Sequence, residues 1–120
     1  MNTKNYFVRE NATEQQFFCQ LQVSNKFRNT MDAQEAQLVE YIAARLVHRS
    51  ATAERVQELY EDVLHEVVVI NKQRRDDEPF LLITYSPLRK LENGFIRIER
   101  SSGRHQSLLL PIIDFRGEVV

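Results

Sequence analysis

The side chains able to act chemically on another molecule are few in this sequence and widely spaced. His48, His65 and His105 share no metal-ligand spacing, and no H-E-x-x-H or C-x-x-C pair accompanies them, so no metal site is expected. Glu61, Asp62 and Glu66 make an acidic cluster, but Asp62 and Glu66 are four apart, which on a helix makes them neighbours on one solvated face. Cys19 alternates with Phe17, Leu21 and Val23 and reads as a small buried hydrophobe rather than a nucleophile. With no glycine-rich phosphate loop and no nucleophile elbow, the expectation is a non-enzymatic protein that needs no cofactor.

Basic residues are distributed less evenly than the net charge of −1 suggests. Residues 1–71 hold 7 basic and 10 acidic side chains, whereas residues 72–120 hold 9 basic and 7 acidic. Between positions 89 and 105, Arg89, Lys90, Arg97, Arg100 and Arg104 face only Glu92 and Glu99, with His105 at the end. A β-ribbon with that surplus can place guanidinium groups on phosphates, which fixes a protein on nucleic acid without reading its sequence. The same charges also keep an edge strand from aggregating, so the pattern alone leaves both readings open.

The elements that must position these groups follow from hydrophobic spacing. Tyr6 and Val8, then Phe17, Cys19, Leu21 and Val23, recur at period two and predict an N-terminal hairpin closed through Glu10–Gln15. A helix over residues 13–27, with Phe17, Phe18 and Leu21 inward, is the competing reading. Asp32 and Glu35 have the spacing of a capping box, and Leu38, Val39, Ile42, Ala43, Leu46 and Val47 then form one helical stripe. Ser50 and Thr52 are candidate N-caps for a second helix from Ala53 towards Ile70, carrying Val56, Leu59, Tyr60, Val63, Leu64 and Val67. The β-branched run Val67–Ile70 weakens its last turn, and Asn71–Pro79 reads as a solvated loop.

Three strands complete the chain: Phe80–Tyr85, Phe95–Arg100 and Leu108–Phe115. Pro111 confines the last of them to a sheet edge or to a bulge. The predicted class is therefore α+β in a single domain over residues 1–120: an N-terminal β-hairpin, two packed α-helices and a three-stranded antiparallel sheet.

This order of elements resembles the HU/IHF-like DNA-binding proteins, in the variant form that adds an N-terminal hairpin. Leu38–Leu46, Ser50, and the stripe from Val56 to Val67 are similar to the family's helix-turn-helix body and its dimer-forming face, and Tyr6–Asn11 to the variant opening. The family's glycine-rich segment and its proline-tipped arm have no counterpart in Ser86–Gly94 or Ser101–Ser107. The resemblance thus implies a homodimer that contacts duplex DNA through its backbone phosphates, without the sharp bend a wedging proline produces. The residues it assigns are Arg89, Lys90, Arg97, Arg100, Arg104 and His105 on DNA, with Val56, Leu59, Tyr60, Val63, Leu64 and Val67 at the dimer interface.

A different class of function fits the same sequence, namely a protein-interaction or assembly module in which the basic ribbon only solubilises an edge. One cysteine, no leader-like N-terminus and no long apolar run predict a cytoplasmic protein without a membrane partner.

Overall fold

Alternating burial organises one antiparallel sheet, and the helices cover a single face of it. The computed structural model of the protein describes residues 16–46, 50–88, 93–101 and 108–118. Along these run β1 (Gln16–Gln22), α1 (Asn25–Arg28), α2 (Ala33–Arg45), β2 (Ser50–Ala51), α3 (Ala53–Gln73), β3 (Leu81–Ser86), β4 (Gly94–Arg100) and β5 (Leu108–Glu118). The strands lie in the order β2-β1-β5-β4-β3, and every neighbouring pair is antiparallel. The class is α+β, as the sequence predicts.

The strand count differs from that expectation because β1 does not stand apart. It pairs with β5 from Gln16↔Glu118 to Gln22↔Ile112 and so extends the C-terminal sheet. The first hairpin strand, with Tyr6 and Val8, and the loop Glu10–Gln15 lie outside the described residues. The segment that reads as either strand or helix contains both. Gln16–Gln22 is extended with Phe17 and Cys19 inward, and Ser24 then caps a single helical turn that buries Phe27 completely.

Pro111 does not place its strand at an edge. β5 lies between β1 and β4, and the β4 ladder passes from Arg97↔Ile112 to Glu99↔Leu109, two residues on one strand against three on the other. The extra residue falls where Pro111 lacks a donor, so a bulge rather than an edge accommodates it. Pairing with β1 has already ended at Ile112.

α2 begins where its capping box predicts. Asp32 Oδ1 accepts from the Glu35 amide at 2.8 Å, and Glu35 Oε1 accepts from the Asp32 amide at 3.0 Å. Ser50 belongs to β2, so Thr52 is the cap of α3. That helix continues to Gln73 through the β-branched run, because Val67 and Ile70 are buried and tertiary packing overrides propensity. Val56, Leu59, Val63, Val67 and Ile70 of α3, with Leu38 and Ile42 of α2, pack on Phe17, Cys19, Leu81, Ile96, Ile98, Ile113 and Phe115 of the sheet. No helix among the described residues is long and apolar enough to cross a membrane.

Candidate functional site

The six residues assigned to DNA contacts separate into two groups. Arg89, Lys90, Arg104 and His105 lie outside the described residues. Arg97 and Arg100 are both on β4, on opposite faces of the sheet. Arg97 points away from the helices, and its guanidinium carbon sits 4.2 Å above the Phe95 ring centroid. Its Nε is buried without a hydrogen-bond partner among the described residues.

Arg100 is 14% exposed and binds both carboxylate oxygens of Glu35, itself 1% exposed. Arg74 joins this cluster from the end of α3, at 2.8 Å from Asp32 and 3.4 Å from Glu35, while also donating to Gln34 Oε1 and the Pro79 carbonyl. Two carboxylates and two guanidinium groups thus tie the start of α2 to the end of α3 and the end of β4. A buried pair is tolerated only when its remaining donors and acceptors are met in this way. The cluster is an internal brace, and it withdraws Arg100 from the surface expected to meet phosphate.

The expected dimer face is redistributed by the sheet. Val56, Leu59, Val63 and Val67 are each at most 8% exposed within one chain, so the sheet and α2 cover the part of α3 that a second subunit was expected to cover. Tyr60 and Leu64 remain half-exposed on one flank. Tyr60 stacks on Tyr85 of β3 at 4.5 Å, and Asn71 on the same flank bonds the Leu81 backbone, so this flank of α3 runs beside β3.

That row, followed along the helix as Ala53, Gln57, Tyr60, Leu64, Val68 and Asn71, is itself uncharged, and is bordered on its solvent side by Glu61, which accepts from Gln57 Nε2 at 3.1 Å, and by Lys72, four residues after Val68. The opposite flank carries Arg55, Glu58, Asp62 and Glu66, with Asp62 paired to Arg45 at 3.0 Å. The contrast extends to the strand itself, since Pro79–Leu88 is a run of ten residues without a charge. Phe80 and Leu82 are 46% and 51% exposed. Among the described residues β3 is also a terminal strand with β4 on one side only, whereas β2, at the other end, is blunted to two residues.

Hydrogen bonding shows which groups of β3 are open. Phe80 is bonded to Ser101 at 2.8 Å in the register that continues Leu81↔Arg100, so Phe80, Leu82, Thr84 and Ser86 turn their amides and carbonyls to β4. Leu81, Ile83 and Tyr85 turn theirs outward. Leu81 is closed from both sides by Asn71, which donates to its carbonyl at 3.0 Å and accepts from its amide at 2.9 Å. Pro87 has no amide to offer. Ile83 and Tyr85 therefore carry the outward-turned amides and carbonyls of this strand, beside an uncharged helix row.

A cleft of about 380 Å³ lies between β1 and the start of α3, lined by Cys19, Arg45, Arg55, Glu58, Leu59 and Asp62 among others. Cys19 is 5% exposed, and burial pushes its thiol above the ordinary range, the reverse of what a nucleophile requires. Among the described residues no group of three His, Cys, Asp or Glu side chains is placed to hold a metal ion. His65 is exposed on α3, and His48 lies outside the described residues.

The sequence offers Phe80–Tyr85 as one of three strands with no position in the sheet, so the β3 edge was not identified from it. The available signal was the absence of charge from Pro79 to Leu88, which conflicts with the protection a terminal strand normally carries. Comparison of the chain with protein-family models, curated proteins and solved structures finds no match.

Proposed function

We propose that the protein is a small interaction or assembly module that engages another polypeptide by strand addition along β3, with the uncharged row of α3 as the second wall of the contact. The observation that carries this reading is the coincidence of a charge-free strand, terminal among the described residues, with the uncharged helix row of Tyr60, Leu64 and Val68 beside it. Natural sheet edges are protected by charge, proline, bulges or shortness, and β3 between its flanking prolines has an unbroken register and none of the charges.

The magnitudes require both walls. Four edge hydrogen bonds contribute roughly 0.5–1.5 kcal/mol each, against an association cost of roughly 4–15 kcal/mol, so the backbone alone meets only the lower end of that cost. Burial of Leu64, Val68 and Leu82 supplies the surplus, at roughly 1.5–3 kcal/mol for each side chain fully covered.

A photo-crosslinking residue placed at Leu82 tests the proposal against the same residue at Phe18. Both positions are exposed apolar sites on the face of the sheet away from the helices, at 51% and 47%, but Leu82 lies on the terminal strand. Polypeptide adducts at 82 and not at 18, in the cells that make the protein, are the expected result. Equal labelling, or no polypeptide adduct at 82, overturns it.

The HU/IHF-like DNA reading now depends on Arg89, Lys90, Arg97, Arg104 and His105, because Arg100 is engaged by Glu35. The interaction-module reading expects no salt-dependent binding to duplex DNA at about 50 mM salt, where counterion release favours phosphate contacts most.

A further inference from the structure

We propose that the polypeptide taken up by β3 is a second copy of this chain, paired antiparallel across a two-fold axis at Thr84 so that two five-stranded sheets become one. The proposal rests on the reading of β3 as a docking edge and adds the identity and register of the occupant.

The argument is one of register. A two-fold axis permits three centrings on the outward-turned part of β3. Centred on Ile83, the strand sets Tyr85 opposite Leu81 of the other copy, whose amide and carbonyl Asn71 already holds. Centred on Tyr85, it sets Ile83 opposite Pro87, which has no amide to donate. Centred on Thr84, it sets Ile83 opposite Tyr85 and Tyr85 opposite Ile83, and all four open groups of each strand find partners. The blocked position at one end and the proline at the other thus select a single self-complementary register.

Charge selects the same occupant. In a two-fold contact each side chain near the axis meets its own counterpart, so a charge there is repelled by itself. The row of Tyr60, Leu64, Val68 and Asn71 nearest β3 and the strand from Leu81 to Ser86 avoid that penalty, with Glu61 and Lys72 set one position further from the strand. A second copy also brings its own Leu64 and Val68, and so doubles the apolar surface that a bare peptide strand leaves uncovered.

Cysteine placement tests the register. Thr84, opposite itself in a non-hydrogen-bonded pair, has a Cα separation of about 4.5 Å, within disulfide range. Thr84→Cys should therefore yield a covalent dimer of twice the 14.2 kDa chain on mild oxidation. Leu82 and Ser86 each lie about 13 Å from their own counterparts at roughly 3.4 Å per residue, yet face one another across the axis. Leu82→Cys or Ser86→Cys alone should give about tenfold less covalent dimer than Thr84→Cys, and an equimolar mixture of the two should restore it. Cys19 is too buried to compete.

Equal crosslinking at all three positions overturns the register. A 14.2 kDa species at every concentration in sedimentation overturns the second copy as occupant. If a polypeptide adduct at Leu82 persists in that case, the docking edge stands with a different occupant; if it is absent as well, the edge itself is wrong.

Discussion

Arg100 reaches back across 65 positions to donate two hydrogen bonds to Glu35, from Nε to Oε2 at 2.9 Å and from Nη2 to Oε1 at 2.6 Å. The pair joins the last residue of β4 to the first turn of α2, and Phe27 lies under the guanidinium at 5.2 Å. Glu35→Gln leaves Arg100 and the 3%-exposed Arg74 without their shared carboxylate. Removing one partner from a buried pair costs about 3–5 kcal/mol, and urea denaturation should report a loss of that order. A loss below about 1 kcal/mol, the range of an exposed pair, contradicts the buried brace.

Asn71 blocks the β3 edge at Leu81, and its removal should lengthen that edge. Asn71→Ala forfeits two hydrogen bonds, a destabilisation of about 1–2 kcal/mol, and exposes the Leu81 amide. Hydrogen exchange should show the Leu81 amide losing protection while Leu82, bonded to β4, keeps its own. Unchanged protection at Leu81 contradicts the assigned phase of the strand.

Gly94, the first residue of β4, has a packing role. A Cβ at this position presses into the Phe115 ring, with Cζ at 2.6 Å, and comes within 2.7 Å of the Leu88 amide nitrogen. Phe115 is 2% exposed and packs edge-on against Phe17 at 5.9 Å, so it has little room to yield. Gly94→Ala should cost about 1–3 kcal/mol by overpacking, measurable as a lower denaturation midpoint with an unchanged slope.

Stability should fall on the alkaline side. Burial raises the Cys19 thiol above its ordinary 9.0, and burial together with the neighbouring Tyr60 raises the Tyr85 hydroxyl above 10.0. Each group ionises more readily in the unfolded chain, so the unfolded state binds fewer protons above pH 9 and stability declines as pH rises. Cys19→Ala and Tyr85→Phe should each flatten that decline in denaturation midpoints recorded from pH 8 to pH 11. A profile unchanged by both substitutions contradicts the burial of these groups.

Local signals carried most of the fold. The capping box at Asp32, the stripe from Val56 to Val67 and the alternation around Phe17 are short-range patterns, and each element forms where its pattern lies. The partner of a strand is not a local property, so the pairing of β1 with β5, over about ninety positions, was not readable. The proline rule for β5 gave two solutions, and the tertiary position of the strand selected the bulge. The engagement of Arg100 was not readable for the same reason: nothing in its spacing reveals that Glu35 awaits it. Absence of charge along Pro79–Leu88 was legible, but it becomes a site only once β3 is known to end the sheet.

Val68 and Val69 provide the most direct measurement of the central claim, because they are adjacent and similarly exposed, at 41% and 37%, yet lie on opposite flanks of α3. Val68→Glu places a charge on the uncharged row beside β3, and Val69→Glu adds one to a flank already charged. The native mass of the protein's assembly, measured by sedimentation in extracts of the cells that make it, should drop to the 14.2 kDa chain for Val68→Glu and remain that of the unaltered protein for Val69→Glu. Equal behaviour of the two variants would contradict the account.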